Sequence, residues 1–209
     1  MRKLKTSRQP EILDAALAIA DERGLDALSM RAVAERVGVT PMALYGYFRN
    51  KDELLDGLVG RLLTKLVAED AERIGPGLEG AWNERLGAIA WATRRLAREH
   101  PSVFPLLLSR PSVTPDGVRV VDLLYQALIE AGVPDADVPR IERMVSTFVI
   151  GFAISEVNGR FSGGSNETRT RRGVDAPAHR RLAGHLAARD WDAEFAADLA
   201  DLMRIIRPV

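Results

Sequence analysis

An all-α fold is predicted, with a three-helix head over residues 1–54 and a larger helical body over residues 55–209. Three observations predict it. Alanine, leucine, arginine and glutamate dominate the chain, and all four are strong helix formers. Apolar residues recur at spacings of three and four, and no stretch alternates β-branched with polar residues as a half-buried strand would. Serine, threonine, asparagine, proline and glycine stand where helices start and stop.

The first helix is predicted over residues 10–23. Pro10 suits its first turn, Ile12, Ala16, Ile19 and Ala20 recur on one face, and Gly24 stops it. Ser29 is an N-cap for a short second helix through Val37, closed by Gly38. Thr40-Pro41 opens a third short helix that is expected to carry both Leu44 and Phe48. Asn50 and Glu53 form a capping box for a long fourth helix, whose Leu54, Leu55, Leu58, Val59, Leu62, Leu63, Leu66 and Val67 make a stripe that must be buried. Gly75-Pro76-Gly77 ends it.

The body continues with a helix over residues 79–99 carrying Trp82, Leu86, Ile89 and Leu96, then one or two apolar turns before Ser109. Thr114-Pro115 starts a helix that ends near Gly132, and Val138-Pro139 starts another, apolar over much of its circumference, running to about residue 160. Residues 162–173 lack periodicity and read as a surface loop. Two final helices are expected near residues 178–188 and 191–206.

Composition narrows the function classes. Of the 209 residues, 46% are hydrophobic and 28% charged, the balance of a folded chain with a sizeable core. No apolar run approaches the roughly 20 residues of a membrane helix, and the basic start lacks the apolar stretch of a signal peptide, so a cytoplasmic protein without a membrane association is expected. The absence of cysteine excludes disulfides and thiolate metal sites. Net charge is zero, but residues 1–51 hold nine basic and six acidic side chains, leaving +3 on the head and −3 on the rest. Such a basic terminal module suits a nucleic-acid footprint confined to one end.

The constellation that carries chemistry is residues 29–53. Two short helices are joined by a glycine turn, with Val33, Ala34 and Val37 facing inward from the first and Val39, Leu44 and Phe48 from the second. Ala34 is small enough to let the two approach closely. That spacing is a helix-turn-helix, and its second helix is short enough to lie in a DNA major groove.

The strings Ala34-Glu35-Arg36-Val37-Gly38-Val39, Leu44-Tyr45-Gly46-Tyr47-Phe48 and Asn50-Lys51-Asp52-Glu53-Leu54-Leu55 resemble the DNA-binding domain of the TetR family of transcriptional regulators. The resemblance runs over about residues 8–58. More weakly, Ser109-Arg110-Pro111 and Phe148-Val149-Ile150-Gly151-Phe152 are similar to the C-terminal domain of its tetracycline-repressor branch. The resemblance implies a ligand-relieved repressor that binds a palindromic operator as a homodimer, with no cofactor. It also implies site roles. Arg31 would reach a guanine edge or a phosphate; Thr40, Pro41, Met42 and Ala43 would lead the recognition helix; Tyr45, Tyr47 and Lys51 would hold phosphates. Gly46 lacks the bulky side chain of some members. Arg2, Lys3, Lys5 and Arg8 form an arm that either enters a minor groove or is an inert tail. Each residue also has a plain reading, Tyr45 and Tyr47 as packing tyrosines and Arg31 as a solvated cation.

In the body, Trp82, Trp91, Phe104, Leu107, Tyr125, Phe148 and Phe152 are the candidates to line an inducer pocket, against the alternative that each is simply core. The tetracycline-repressor branch has a metal-holding histidine four residues before its Arg-Pro pair, where this chain has Leu106, which disfavours tetracycline and a metal. An enzyme would need a phosphate loop, a Gly-x-Ser-x-Gly elbow or a His-Glu-x-x-His helix, and none of these is present. Dimerisation is expected through the helices near residues 139–160 and 191–206.

Overall fold

The computed structural model describes residues 8–69, 81–110, 114–160, 177–182, 185 and 190–206, and all the regular structure among them is helical. The head contains α1 (Gln9–Arg23), α2 (Met30–Arg36) and α3 (Pro41–Tyr45), with a 3₁₀ turn at Leu25–Ala27 between the first two. The long α4 (Lys51–Glu69) leads into the body, made of α5 (Trp82–Glu99), α6 (Leu106–Ser109), α7 (Pro115–Glu130), α8 (Val138–Val157), α9 (Pro177–Leu182) and α10 (Trp191–Ile206). The Gly75-Pro76-Gly77 break, the 162–173 segment, Arg2, Lys3 and Lys5 lie outside the described residues.

Local chemistry sets the helix starts. The hydroxyls of Ser29, Thr40 and Thr114 accept hydrogen bonds from the amides of Ala32, Ala43 and Gly117 at 3.1, 3.2 and 3.2 Å. Each thereby satisfies one of the orphan N–H groups of a first turn. The Asn50 amide oxygen accepts from Glu53 N at 2.8 Å, while the Glu53 carboxylate reaches one residue further back than a capping box requires, to the amide of Arg49 at 2.6 Å. Two boundaries differ from expectation. Helix α3 ends at Tyr45, so Phe48 reaches the core from the turn that follows, and α8 ends at Val157, three residues early, at a left-handed Gly159.

Most of the α4 stripe is buried: Leu54, Leu58 and Leu62 are wholly inaccessible and Val59, Leu63 and Leu66 nearly so, while Leu55 and Val67, expected inside, are only partly buried. The first half of the helix packs on α1 and the second on α5 and α7. Close approach is possible because Gly57 and Gly60 stand on these two faces. A Cβ at Gly57 would lie 2.8 Å from a Leu13 methyl, and one at Gly60 would lie 2.6 Å from the Thr114 methyl.

The body is tied together by a buried cation. Arg94 on α5 is 1% exposed and donates from Nε and Nη2 to the Glu156 carboxylate of α8 at 2.8 and 2.7 Å. Asp192 at the start of α10 lies 2.9 Å from the same Nη2, and Arg98 donates to both acids at 2.7 Å. Trp91, Phe152 and Phe195 surround the guanidinium at 4.8–5.4 Å from their ring centroids. A lone charge would not tolerate this burial; two carboxylates and three aromatic faces make it stable.

Burial raises the Glu156 pKa, but the hydrogen bonds from Arg94 and Arg98 outweigh it and hold the carboxyl below its ordinary value. Asp192 is lowered as well, chiefly by its hydrogen bond from Arg98. A depressed folded-state pKa stabilises the fold above the unfolded value of about 4.3, and that stability is lost as pH falls through the folded value. Urea unfolding from pH 7 to pH 3 is therefore expected to show a steep acid loss. The substitution Glu156→Gln should lower stability at pH 7 by about 1–3 kcal/mol and flatten the acid dependence.

Candidate functional site

The reading head is built from residues that form its turn before they form its surface. Helix α2 closes with Gly38 at φ +68°, whose amide donates to Glu35 O at 3.2 Å while Val39 N donates to Ala34 O at 2.9 Å. This is a Schellman closure, and it needs a left-handed residue at its glycine. It turns the chain so that α3 crosses α2 at the fully buried Val33, Ala34 and Leu44. Val37 and Val39, expected inside, are only partly buried at the rim of this contact.

With Leu44 anchored, the rest of α3 faces outward. Pro41, Met42, Ala43 and Tyr45 are all exposed, Met42 by 80% and Tyr45 by 48%, which no packing role explains. Thr40 stands at the same end; its oxygen caps the helix and its hydroxyl proton remains to donate. Arg31 at the start of α2 is exposed, with no ion-pair partner among the described residues. Tyr47 is partly buried against the core, so its ring packs and only its edge is accessible. Lys51, the first residue of α4, donates to Leu25 O at 3.4 Å, leaving two of its three N–H groups for a further partner.

Arg36 is withdrawn from this surface. It pairs in bidentate fashion with Glu22 on α1, and the hydrogen bond from Arg36 holds the Glu22 carboxyl below its usual range. Further ion pairs link the elements of the head to α4 and to the body. His100 Nδ1 lies 2.8 Å from Asp21, and Arg110 donates to Asp52 and Asp56 on the first turns of α4 at 2.7 Å. Arg61 on α4 grips Asp14 on α1 at 2.6 and 2.8 Å.

The body contains a cavity of about 170 Å³ between α4, α5, α7 and α8. Its walls are Leu63 and Leu66 from α4, Leu86, Ile89, Ala90, Thr93 and Leu96 from α5, Leu107, Gly117, Val120, Val121 and Leu124 from α7, and Glu142, Val145, Ser146, Val149 and Ile150 from α8. Of the seven side chains expected to line a pocket, Leu107 alone borders it. Trp91 and Phe152 belong to the Arg94 cluster, and Phe148 stacks against Phe152 at 6.2 Å. Phe104 is wholly buried in the core, while Trp82 and Tyr125 pack partly buried against it. Sequence reasoning missed Thr93, Glu142 and Ser146. The signal for the last two was their spacing of four on α8, which puts them on one face with the apolar Val145 and Val149. Among the described residues no group of three His, Cys, Asp or Glu side chains is placed to hold a metal ion, and no helix is long and apolar enough to cross a membrane.

Comparison with known proteins decides the family. The family model for bacterial regulatory proteins of the tetR family matches residues 12–58, and the model for the tetracyclin repressor-like C-terminal domain matches residues 76–203. The chain belongs to the TetR family. The first match covers most of the reading head, and the second covers the cavity wall apart from Leu63 and Leu66.

A repressor, DrrR1 of Streptomyces coeruleorubidus, is 32% identical over 70% of this chain and 52% of its own length, so the similarity spans about half of that relative. The class A tetracycline repressor from transposon 1721 of Escherichia coli is 32% identical over 74% of this chain and 69% of its own. Among solved structures, ActR of Streptomyces coelicolor superposes with a TM-score of 0.80 at 26% identity, covering 95% of this chain and 93% of that one. ActR has also been solved with actinorhodin, and BioQ with its double-stranded DNA operator (TM-score 0.60, 29% identity, 87% and 98% coverage). TetR proteins are transcriptional regulators, which are not enzymes.

The two turn devices predict distinct costs. No atom lies within 4 Å of a Cβ built on Gly38, so Gly38→Ala should destabilise only through its positive φ, by about 1–2 kcal/mol. Thr40→Ala should cost about 1 kcal/mol by removing the cap. Urea unfolding of the two variants checks both values.

Proposed function

We propose that this chain is a ligand-relieved repressor that binds a palindromic operator as a homodimer. The observation that carries the reading is the outward face of α3, where Thr40, Pro41, Met42, Ala43 and Tyr45 are all presented to solvent beside an unpaired Arg31. A short helix with small and hydroxyl-bearing side chains on its free face suits the floor of a major groove. Tyr45, Tyr47 and Lys51 flank it as phosphate contacts, and the positive end of α4 helps Lys51. The division between head and body falls at residue 54, just inside α4. BioQ, similar over most of its length, binds an operator duplex, which supports the same use of this head.

One head touches few base pairs, so two related by a twofold axis are needed for an operator. Helices α8 and α10 are the pairing surface in this reading. Met144 on α8 and Ile205 on α10 are 37% and 71% exposed, apolar side chains that a four-helix bundle with a second copy would cover. The inducer is assigned to the cavity between α4 and α8, and the structure of ActR with actinorhodin supports a small-molecule ligand. Because α4 forms both a wall of the cavity and the floor of the head, filling the first displaces the second. The protein acts in the cytoplasm, without a cofactor and without catalysis.

The test is the salt dependence of binding to the duplex that the purified protein selects from a randomised pool. A repressor that neutralises six or more phosphates should lose on the order of a thousandfold in affinity between about 50 and 200 mM salt. Lys51→Met, one phosphate contact in each half-site, should lower the slope of log affinity against log salt by about two. A protein that selects no sequence and shows no slope would overturn the reading.

A further inference from the structure

Among the described residues, the polar part of the cavity wall offers a ligand only hydrogen-bond acceptors. Three polar side chains border it, Thr93, Glu142 and Ser146. Each hydroxyl has a single proton to give, and both are already given. Thr93 donates to Ile89 O at 2.7 Å, and Ser146 donates to the Glu142 carboxylate one turn before it on α8. What the two hydroxyls can still offer a ligand is lone pairs. The carboxylate is acceptor-only as well, and no cation among the described residues pairs with it. The helical amides around the cavity are committed to their own ladders, and the rest of the wall is leucine, isoleucine, valine, alanine and glycine.

Such a wall discriminates by charge. A ligand carboxylate or phosphate would sit beside Glu142 in apolar surroundings with no donor to receive it, a like-charge contact that low polarity makes worse. A ligand ammonium would instead supply the counter-charge that Glu142 lacks and donate to the oxygens of Ser146 and Thr93. The volume also limits the choice. At about 170 Å³ the cavity is somewhat larger than the roughly 150 Å³ apolar hole that accepts a benzene, which leaves room for a compact ring system.

We propose that the effector of this protein is a compact apolar amine, held by its ammonium on Glu142 with its ring system among Leu66, Ile89, Leu124 and Val149. The assignment rests on reading this cavity as the inducer site.

Three probes of one shape test it: a naphthylmethylamine, the matching naphthylmethanol and the matching naphthoate, titrated calorimetrically into the full-length protein. The amine is expected to bind roughly ten- to a hundredfold more tightly than the naphthoate. Glu142→Gln, which keeps an acceptor for Ser146, is expected to erase most of the amine's advantage over the alcohol while leaving alcohol affinity within about twofold. Thermal unfolding confirms that the variant is folded; if it is not, the amine-to-naphthoate ratio of the wild-type protein decides alone. The proposal is overturned if naphthoate binds as well as the amine, if the amine keeps its advantage in Glu142→Gln, or if none of the three binds at millimolar concentration. Repeating the titrations with the selected duplex bound separates this from the reading beneath it. An amine that binds on Glu142 yet leaves the duplex bound contradicts ligand relief and not the amine site, whereas release by naphthoate alone contradicts the amine site and not ligand relief.

Discussion

Helix α4 runs through one continuous hydrophobic core and is packed by the head along its first half and by the body along its second. Its Leu54 and Leu58 complete the head's part of that core, and its Leu62, Leu63 and Leu66 complete the body's part. Gly57 and Gly60 thin the helix where each half approaches it, under Leu13 and Phe48 on one side and under Thr114 on the other. Close-packed interiors resist small displacements, so the rod cannot slide against one part without straining the other. In the proposed function, communication between cavity and reading face would follow from that double burial. It requires no separate pathway of residues.

The polar contacts around α4 refine this coupling without replacing it. Arg61 to Asp14, Arg110 to Asp52 and Asp56, and His100 to Asp21 are at least partly exposed, and pairs of that kind contribute at most about 1 kcal/mol each. Their value is in direction. Arg110 holds the first turns of α4 from the body, and His100 holds the end of α1, so the head is gripped at two points well apart. The Arg94 cluster works differently. Desolvated, doubly paired and enclosed by three rings, it locks α5, α8 and α10 together as a fixed frame. On the α4 side of the cavity the packing is mainly apolar, with Thr64 donating to Asp116 across to α7.

The head was legible in the sequence because its instructions are local. Ser29, Thr40, Gly38 and the Asn50/Glu53 pair each act within three or four residues, and a string of such signals fixes the turn, the exposed face and the start of α4. The length of α3 was not legible. Phe48 continues the apolar spacing of Leu44, yet Gly46 follows Tyr45 and the chain leaves the helix there. In the body, periodicity identified the apolar side chains but not which interface each would join. Trp91, Phe148 and Phe152 have the look of pocket residues, and it is Arg94, Glu156 and Asp192, up to about a hundred residues apart in sequence, that draw Trp91 and Phe152 elsewhere. The cavity is walled mainly by aliphatic residues, and its specificity lies in three small polar groups whose meaning depends on partners one turn away.

The central claim, that α4 couples the body to the reading face by steric contact, is tested most directly with a wedge placed on α4 itself. Gly60→Val puts a branched side chain where even a Cβ would lie 2.6 Å from the Thr114 methyl, far from any residue assigned to DNA. Its affinity for the selected duplex should be measured without any effector, at a temperature where circular dichroism and mass confirm a folded protein in the wild-type oligomeric state. The account predicts a loss of about tenfold or more, the equivalent of at least ~1.4 kcal/mol. Undiminished affinity in a folded Gly60→Val protein would contradict it.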